Sequence, residues 1–174
     1  NPEIPSAILE TLSHQNFPDM AYAQDPNLQF TLARSIYKAI LKYTAAQHGT
    51  CYTVQPLAPR GLRTAIDRQG KITLTWEAQT DPRESTAMPS AYVVYTRSGG
   101  GGFDNGTVVT NTTYSMTPEP GVQYDFKVTA INDGGESFPT EVLSAYFAPR
   151  AKHTVLVVNG FRRLSSPAVV QNDS

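Results

Sequence analysis

Glu10 and His14 are the residues whose types and spacing first suggest chemistry in this chain. Glu10 ends the short apolar run of residues 4–9, which places a carboxylate at the end of a predicted buried strand. His14 follows four residues later, but on a loop that spacing does not join the two side chains into a ligand set. His48 and His153 fall in other parts of the chain. A hydrolytic zinc needs three protein ligands and an open fourth position, so we expect no catalytic zinc in this chain alone.

Cys51 is the only cysteine, which excludes an internal disulfide and any CxxC metal knuckle. We expect it to be a small residue near a domain edge. The glycine run at residues 99–102 lacks the Lys-Ser/Thr pair and the helix of a phosphate-binding loop, so we expect a flexible loop between strands. Asn105 and Asn111 stand in Asn-x-Thr sequons, a weak signal that is compatible with export.

Composition describes an ordinary globular chain of 174 residues, with 40% hydrophobic and 17% charged residues. The formal net charge of -1 gives no electrostatic footprint for nucleic acid or for an anionic membrane. No apolar run approaches the ~18 residues that a membrane span requires. The start at Asn1 is neither an initiator methionine nor a signal peptide, so we expect a segment of a longer protein.

Residues 1–50 predict an α/β segment with one strand and one long helix. Ile4–Glu10 has the character of a buried strand. Asp25 and Pro26 form a good helix start, with Asp at the N-cap and Pro at the first helical position. An apolar stripe at helical spacing then predicts a helix over residues 26–46.

Residues 51–148 predict an antiparallel β-sandwich, because short alternating strands recur between turn signals. The predicted strands are Val54–Leu57, Lys71–Glu77, Ala91–Arg97, Gly106–Val109, Thr113–Met116, Tyr124–Ile131 and Val142–Phe147. The predicted inward side chains are Ile72, Leu74, Trp76, Tyr92 and Val94 (or Val93 and Tyr95 on the other phase), Tyr124, Phe126 and Val128.

Residues 149–174 contain the continuous apolar run Thr154–Phe161, which suits a strand covered on both faces, as in a parallel sheet. Two alternatives stay open for this short C-terminal strand. It opens a further α/β unit, or it pairs with the strand at Ile4–Leu9.

The lone Trp76 on an early strand and the late Tyr-x-Phe-x-Val-x-Ala-x-Asn strand from Tyr124 to Asn132 resemble a fibronectin type III module. This resemblance covers about residues 51–148 and implies a mainly β scaffold without a catalytic constellation of its own. Such a sandwich recognises partners, if any, through its end loops or an open edge strand.

The N-terminal segment is similar to the C-terminal end of a zinc-dependent N-acetylmuramoyl-L-alanine amidase domain. Pro5, Leu9 and Glu10 fit the last core strand of that family, and Asn16 lies near its asparagine. The resemblance implies a catalytic role for Glu10, which would act on a zinc-bound water. The alternative for Glu10 is a strand-end carboxylate in a salt bridge. The family's zinc ligands lie upstream, so this chain holds no cofactor in our prediction, and zinc belongs to the parent protein.

The order of segments resembles multidomain bacterial envelope proteins that are labelled xanthan lyases or amidases. Nothing in the chain supplies an arginine cluster for uronate or a Tyr/His pair for β-elimination, so the lyase label predicts no activity here. We expect a piece of an exported enzyme acting on cell-wall or extracellular glycan, in the envelope, the periplasm or outside the cell. The sandwich would be a spacer, and its partners would be glycan or peptidoglycan and neighbouring domains. The alternatives are a non-enzymatic carbohydrate- or protein-binding module, and a structural stub in which the two outer strands pair.

Overall fold

A computed structural model of the chain describes residues 6–158. Chain contacts divide these residues into two compact units, one made of residues 6–43 with 156–158 and the other of residues 44–155. The first unit holds most of the N-terminal helical segment. The second holds the end of the long helix and the whole β-sandwich.

The helical segment contains α1 (Phe17–Ala23) and α2 (Pro26–His48). The start of α2 is as predicted, since the Asp25 carboxylate accepts the backbone N–H of Asn27 at 2.9 Å and Pro26 takes the first helical position. The helix continues two residues beyond the predicted end. The sequence did not predict α1, which has a proline in its first turn and one acidic residue, Asp19, near its positive end.

The predicted strand Ile4–Glu10 is wrong for residues 6–10, which carry no regular secondary structure. Ile8 and Leu9 are 92% and 60% exposed. A strand requires a neighbouring strand to satisfy its backbone groups, and apolar character alone does not supply one. The N-terminal segment is therefore helical in the part that the structure describes, and Ile4 lies outside that part.

The sandwich is built from eight strands and one short 3-10 turn at Ser85–Ala87. The strands are β1 (Arg60–Ile66), β2 (Ile72–Glu77), β3 (Ala91–Ser98), β4 (Thr107–Val109), β5 (Thr113–Met116), β6 (Gln123–Asn132), β7 (Gly135–Glu136) and β8 (Leu143–Tyr146).

Two antiparallel sheets form the layers. The first has the order β1-β2-β5. The second has the order β4-β3-β6, and both β7 and β8 pair with β6. The longest ladder joins β3 to β6 over eight residue pairs, from Ala91–Ile131 to Ser98–Tyr124. Strand β6, which carries the Tyr-x-Phe-x-Val-x-Ala-x-Asn pattern, is thus the centre of the second sheet.

The core confirms the predicted inward set and selects the phase with Tyr92 and Val94. Phe126, at the centre of β6, is fully buried. Trp76 meets Tyr92 edge to face, with ring centroids 5.5 Å apart, an arrangement that aromatic quadrupoles favour. The alternation of side chains along each strand therefore positions one common core between the sheets. Its buried members are Ile72, Leu74, Trp76, Tyr92, Val94, Tyr124, Phe126, Val128, Ala130 and Ala145.

One strand prediction in this region is wrong, and two short strands were not predicted. Residues 54–57 are buried in part, as predicted, but they form no strand. The sandwich begins instead with β1, which the sequence did not predict because Arg60 and Arg63 interrupt its apolar character. The two-residue strand β7 was also missed. The other six predicted strands occur within one residue of their expected bounds.

The predicted strand Thr154–Phe161 is not a strand over residues 154–158, and residues 159–161 lie outside the described part of the chain. Val155, Leu156, Val157 and Val158 are between 77% and 85% exposed. As at residues 6–10, none of the strands among residues 6–158 pairs with this apolar run, so no ladder of these strands completes its backbone hydrogen bonds.

Candidate functional site: the two attachment ends of the sandwich

Asn132, the last residue of β6, ties the incoming segment (residues 53–56) to the sandwich. Its amide Nδ2 donates to the carbonyl oxygens of Val54 at 2.9 Å, Thr86 at 3.2 Å and Met88 at 3.2 Å. Its Oδ1 accepts the N–H of Gly134 at 2.8 Å. One side-chain amide therefore joins three separate stretches of chain, because Asn carries both donors and an acceptor.

A second set of hydrogen bonds holds Val54 from the other side. Its N–H donates to Thr86 Oγ1 at 3.1 Å, and that hydroxyl donates to Glu84 Oε1 at 2.9 Å. Val54 is fully buried, and Glu84 is only 6% exposed. Both backbone groups of Val54 are therefore satisfied by residues distant in sequence, so the incoming segment is fixed without belonging to a sheet.

At Gly134 the backbone of the turn after β6 comes very close to the backbone of the incoming segment. A Cβ built at this position would lie 2.3 Å from the carbonyl oxygen of Thr53 and 2.8 Å from the nitrogen of Gln55. These contacts are too short for any side chain. The turn after β6 thus requires glycine for spatial reasons, and the incoming segment lies directly against it.

The connection from the end of α2 to the incoming segment is short. Gly49 follows the helix with φ +62°, and Thr50 donates its N–H back to Ala45 at 2.9 Å. This is a Schellman-type helix end, in which a glycine in the left-handed region turns the chain away from the axis. Only residues 50–52 then separate the closed helix end from the incoming segment.

The outgoing segment (residues 147–151) leaves from the opposite end of β6. The carbonyl of Phe147 accepts the N–H of Gly121 at 2.9 Å. The ring of Phe147 covers Gly70, where a Cβ would come within 2.4 Å of it. The same turn is held by Tyr124, whose hydroxyl accepts the N–H of Glu119 at 3.1 Å. The outgoing chain is therefore fixed at the Gln123 end of the sheet.

The outward face of the second sheet carries a cluster of charged and aromatic side chains. Lys127 Nζ lies 5.0 Å from the ring centroid of Tyr95 and 4.6 Å from that of Phe103. The guanidinium of Arg97 lies 4.9 Å from the Phe103 ring and bonds the Asp125 carboxylate through Nε and Nη2, each at 2.8 Å. Cation–π contacts of this kind hold the Phe103 loop against the sheet.

Two groups of this face have shifted pKa values. Burial raises the pKa of Asp125, but hydrogen bonds from Ser144, Gln123 and Arg97 outweigh it, so the pKa is lowered overall. The pKa of Tyr95 is raised, chiefly because its hydroxyl donates to Glu136 at 2.6 Å and also because of burial. In both cases hydrogen bonds within the protein decide the direction of the pKa shift.

Glu10, the one predicted catalytic residue, is exposed on the irregular segment before α1. His14 lies in an exposed turn, and Asn16 is the N-cap residue of α1. Cys51 is free and exposed beside the incoming segment. Within residues 6–158 no group of three His, Cys, Asp or Glu side chains could hold a metal ion.

The glycine run lies in the loop between β3 and β4, as predicted. An open depression of about 510 Å³ lies at the outgoing end, against Pro120, Pro149 and Arg150. No helix in the described part of the chain is long and apolar enough to cross a membrane.

Sequence reasoning missed Asn132, Thr86 and Gly134 as functional positions. The signal for two of them was present: an Asn ends the alternating strand, and Asp-Gly-Gly follows it. Nothing local pointed to Thr86, whose partner Val54 is 32 residues earlier.

The fold and its two fixed ends define a sandwich module whose chain arrives at one end and leaves at the other. The family model of the fibronectin type III domain matches residues 57–146. That stretch is more than half of the chain, so the chain belongs to the fibronectin type III family.

Solved structures with a similar fold include the twitchin kinase region from C. elegans, at 20% identity and a TM-score of 0.49. The match covers 57% of this chain and 18% of that one. Titin domains A168–A170 match at 21% identity and a TM-score of 0.47, over 54% of this chain and 32% of that one. The chicken CNTN1 FN1–FN3 domains match at 13% identity and 0.47, over 57% and 34%. The chain thus matches only 18% to 34% of the length of these three structures. No curated protein sequence matches the chain.

Proposed function

We propose that this chain is the spacer part of an exported multidomain enzyme that acts on cell-wall or other extracellular glycan. One observation supports the spacer role above all. The incoming segment is fixed at the Asn132 end of β6, and the outgoing segment is fixed at the Gln123 end. A module with both attachments locked at opposite ends transmits a set distance and direction to its neighbours.

The length of that spacing follows from β6. The strand has ten residues, and a strand rises about 3.3 Å per residue, so the two attachments lie roughly 30 Å apart. Neither attachment depends on a flexible glycine or serine linker within the sandwich. The hydrogen bonds at Val54 leave the incoming segment little freedom before the first strand.

The test is a distance measurement between nitroxide labels on Cys51 and on Ala151→Cys, by pulsed electron spin resonance. Cys51 is the only cysteine and is exposed, so the native chain offers the first label site without further change. We expect one narrow distribution, centred at about 30–40 Å once label length is included. The Asn132→Ala variant should broaden it, because the incoming segment loses its anchor.

Gly102→Ala is the matched control for that measurement, since a Cβ there meets nothing within 4 Å. It should leave the distribution unchanged. A broad distribution in the native sequence would show that the module is a flexible tether, and the spacer proposal would then fail.

The enzymatic part of the proposal concerns the N-terminal neighbour. It is supported by the similarity of Pro5, Leu9 and Glu10 to the last strand of zinc-dependent amidases. The exposure of the Glu10 carboxylate is compatible with access to a substrate. The remaining residues of such a site, including the zinc ligands, would come from the preceding domain. An extracellular or cell-envelope location and a peptidoglycan substrate follow from the same similarity.

Glu10→Gln in the intact parent protein tests this part. Loss of a general base typically lowers the rate by about 10²–10⁴-fold, so we expect cleavage of muramyl-peptide amide bonds to fall by that factor while zinc content stays the same. Glu3→Gln, on the same segment, is the control. Unchanged cleavage in Glu10→Gln would remove the catalytic role.

A further inference from the structure

The connection between β3 and β4 contains an asparagine followed by a glycine, Asn105 and Gly106. An asparagine amide is thermolabile, because the backbone nitrogen of the next residue can attack the side-chain carbonyl carbon and close a five-membered ring. Asn105 is exposed and lies outside the strands, so its backbone is not held in a β-ladder. Gly106 has no Cβ to hinder the attack. The pair therefore combines an accessible electrophile with an unhindered nucleophile.

The fold does not allow this glycine to be replaced by another residue. Gly106 has φ +80°, in the left-handed region. A Cβ built there would lie 2.3 Å from Cγ1 of Val93 and 3.0 Å from the ring of Tyr95. Any side chain at this position would collide with β3. The entry into β4 thus requires the residue type that leaves the preceding asparagine most open to ring closure.

Asp104 holds the attacking nitrogen in place. Its Oδ1 accepts the N–H of Gly106 at 2.9 Å and the N–H of Thr96 at 3.0 Å. Its own N–H donates to the carbonyl oxygen of Thr96 at 2.9 Å. The Gly106 nitrogen attacks only after it loses its proton and turns towards the Asn105 side chain, and both changes break the bond to Asp104. That bond therefore slows ring closure.

We propose that Asn105 is a site of spontaneous deamidation, that Asp104 restrains its rate, and that the product releases strand β4. A bond forms between Gly106 N and Asn105 Cγ, the Gly106 proton passes to solvent, and the amide NH2 group takes up a proton and leaves as ammonia. Water then opens the succinimide ring. Opening at Cγ leaves aspartate. Opening at the backbone carbonyl carbon leaves isoaspartate, in which the main chain runs through Cβ and Cγ.

Isoaspartate lengthens the main chain immediately before Gly106. Because Gly106 is packed closely against Val93, it cannot shift towards β3, and the chain that enters β4 must move outward. Strand β4 has only three residues, which pair with Tyr92, Val93 and Val94 of β3. Three pairs at the edge of a sheet are little to hold a strand, so β4 separates and the outer edge of β3 becomes open.

Tryptic peptide mapping with fragment-ion sequencing tests the proposal on the folded chain of residues 1–174, incubated at physiological temperature and neutral pH. We expect Asn105 to convert to aspartate and isoaspartate, and the isoaspartate marks the ring intermediate because direct hydrolysis gives aspartate alone. Asn111 is the matched internal control and should stay intact. It is also exposed and also flanks β4, but it precedes the β-branched Thr112, whose side chain hinders ring closure. Asn159 lies outside the described residues, and the mapping reports it on a separate peptide.

Two variants and one exchange measurement sharpen the test. Asp104→Ala should raise the rate at Asn105 about tenfold, the rate equivalent of losing one hydrogen bond to a charged group. Asn105→Ser should abolish the conversion and keep β4 in place during the same incubation. In the isolated isoaspartate form, the amides of the β3–β4 ladder should exchange about tenfold faster or more, while the β3–β6 ladder stays protected.

Four results would overturn the inference. The first is conversion of Asn105 no faster than that of Asn111. The second is an unchanged or lower rate in Asp104→Ala, which would mean that the carboxylate does not restrain the nitrogen. The third is unchanged exchange of the β3–β4 ladder in the isoaspartate form. The fourth is equal loosening of β4 in Asn105→Ser. Neither attachment end of the sandwich contains these residues, so the inference goes beyond the spacer function and does not depend on it.

Discussion

Gly134→Ala is expected to lower the free energy of unfolding of the sandwich by about 3 kcal/mol, the upper part of the usual range for overpacking. The added methyl would lie 2.3 Å from the Thr53 carbonyl oxygen and 2.8 Å from Gln55 N. Both neighbours are backbone atoms, which no rotamer change can move. The incoming segment would have to shift outward, and Val54 would lose its burial and its hydrogen bonds together.

Thermal unfolding followed by circular dichroism measures this effect, and a module of this size should melt roughly 10–20 °C lower. Gly100→Ala is the matched control, because a Cβ there meets nothing within 4 Å. Equal melting temperatures for Gly134→Ala and the native chain would mean that residues 53–55 do not lie against the turn.

Asn132→Ala is expected to cost about 2–3 kcal/mol, because the carbonyls of Val54, Thr86 and Met88 lose their common donor. A buried acceptor left without a partner costs about 1–3 kcal/mol. Val54 is fully buried, so its carbonyl has no access to water. The other two carbonyls are closer to the surface and add less.

Denaturant unfolding measures the stability of Asn132→Ala, which loses the whole side-chain amide, and of Asn132→Asp, which keeps the volume but loses the N–H donors. Asp keeps the volume and the acceptor for Gly134 N–H, but it turns an oxygen towards three carbonyl oxygens. It should therefore destabilise at least as much as Ala. Asn111→Ala, in an exposed turn, is the control and should stay within ~0.5 kcal/mol of the native chain. If Asp proves as stable as Asn, the amide bonds are not the anchor.

The strands that the sequence predicts well are those whose own residues alternate between apolar and polar side chains. The strand from Gln123 to Asn132 and the strand from Ile72 to Glu77 place every second side chain in the core. That period is a local property of the chain and survives without knowledge of neighbours. In strand β1 the alternation is weak, because its side chains are either exposed or half-buried and none is fully buried. Its pairing with β2 therefore decides its structure.

The attachment ends are predictable to a smaller extent, because their bonds are long-range. Val54 has the hydrophobicity of a strand residue, and it is buried as a strand residue would be. Its backbone partners, however, are the side chains of Thr86 and Asn132, the second of which is 78 residues away. No local pattern carries that information. The same reason explains why the apolar runs at Ile8 and Val155 predict strands although neither pairs with a strand among residues 6–158.

Glu10 illustrates a third situation. A short motif implies its role by resemblance, and the described residues include no group of three His, Cys, Asp or Glu side chains that could hold a metal ion. A carboxylate becomes a general base only through the groups that surround it. Those groups depend on the preceding domain, so the sequence of this segment specifies one member of a constellation and not its geometry.

The anchoring of the incoming segment by side chains has a mechanical consequence. Tension applied along the protein would reach the Asn132 and Thr86 bonds before it reached the ladders of the two sheets. Those few bonds would break first and release residues 53–59, which extend by about 3.5 Å each. The module would thus lengthen by roughly 25 Å while its core stayed folded. Under load, the folded sandwich would therefore keep its length while the released residues 53–59 extend.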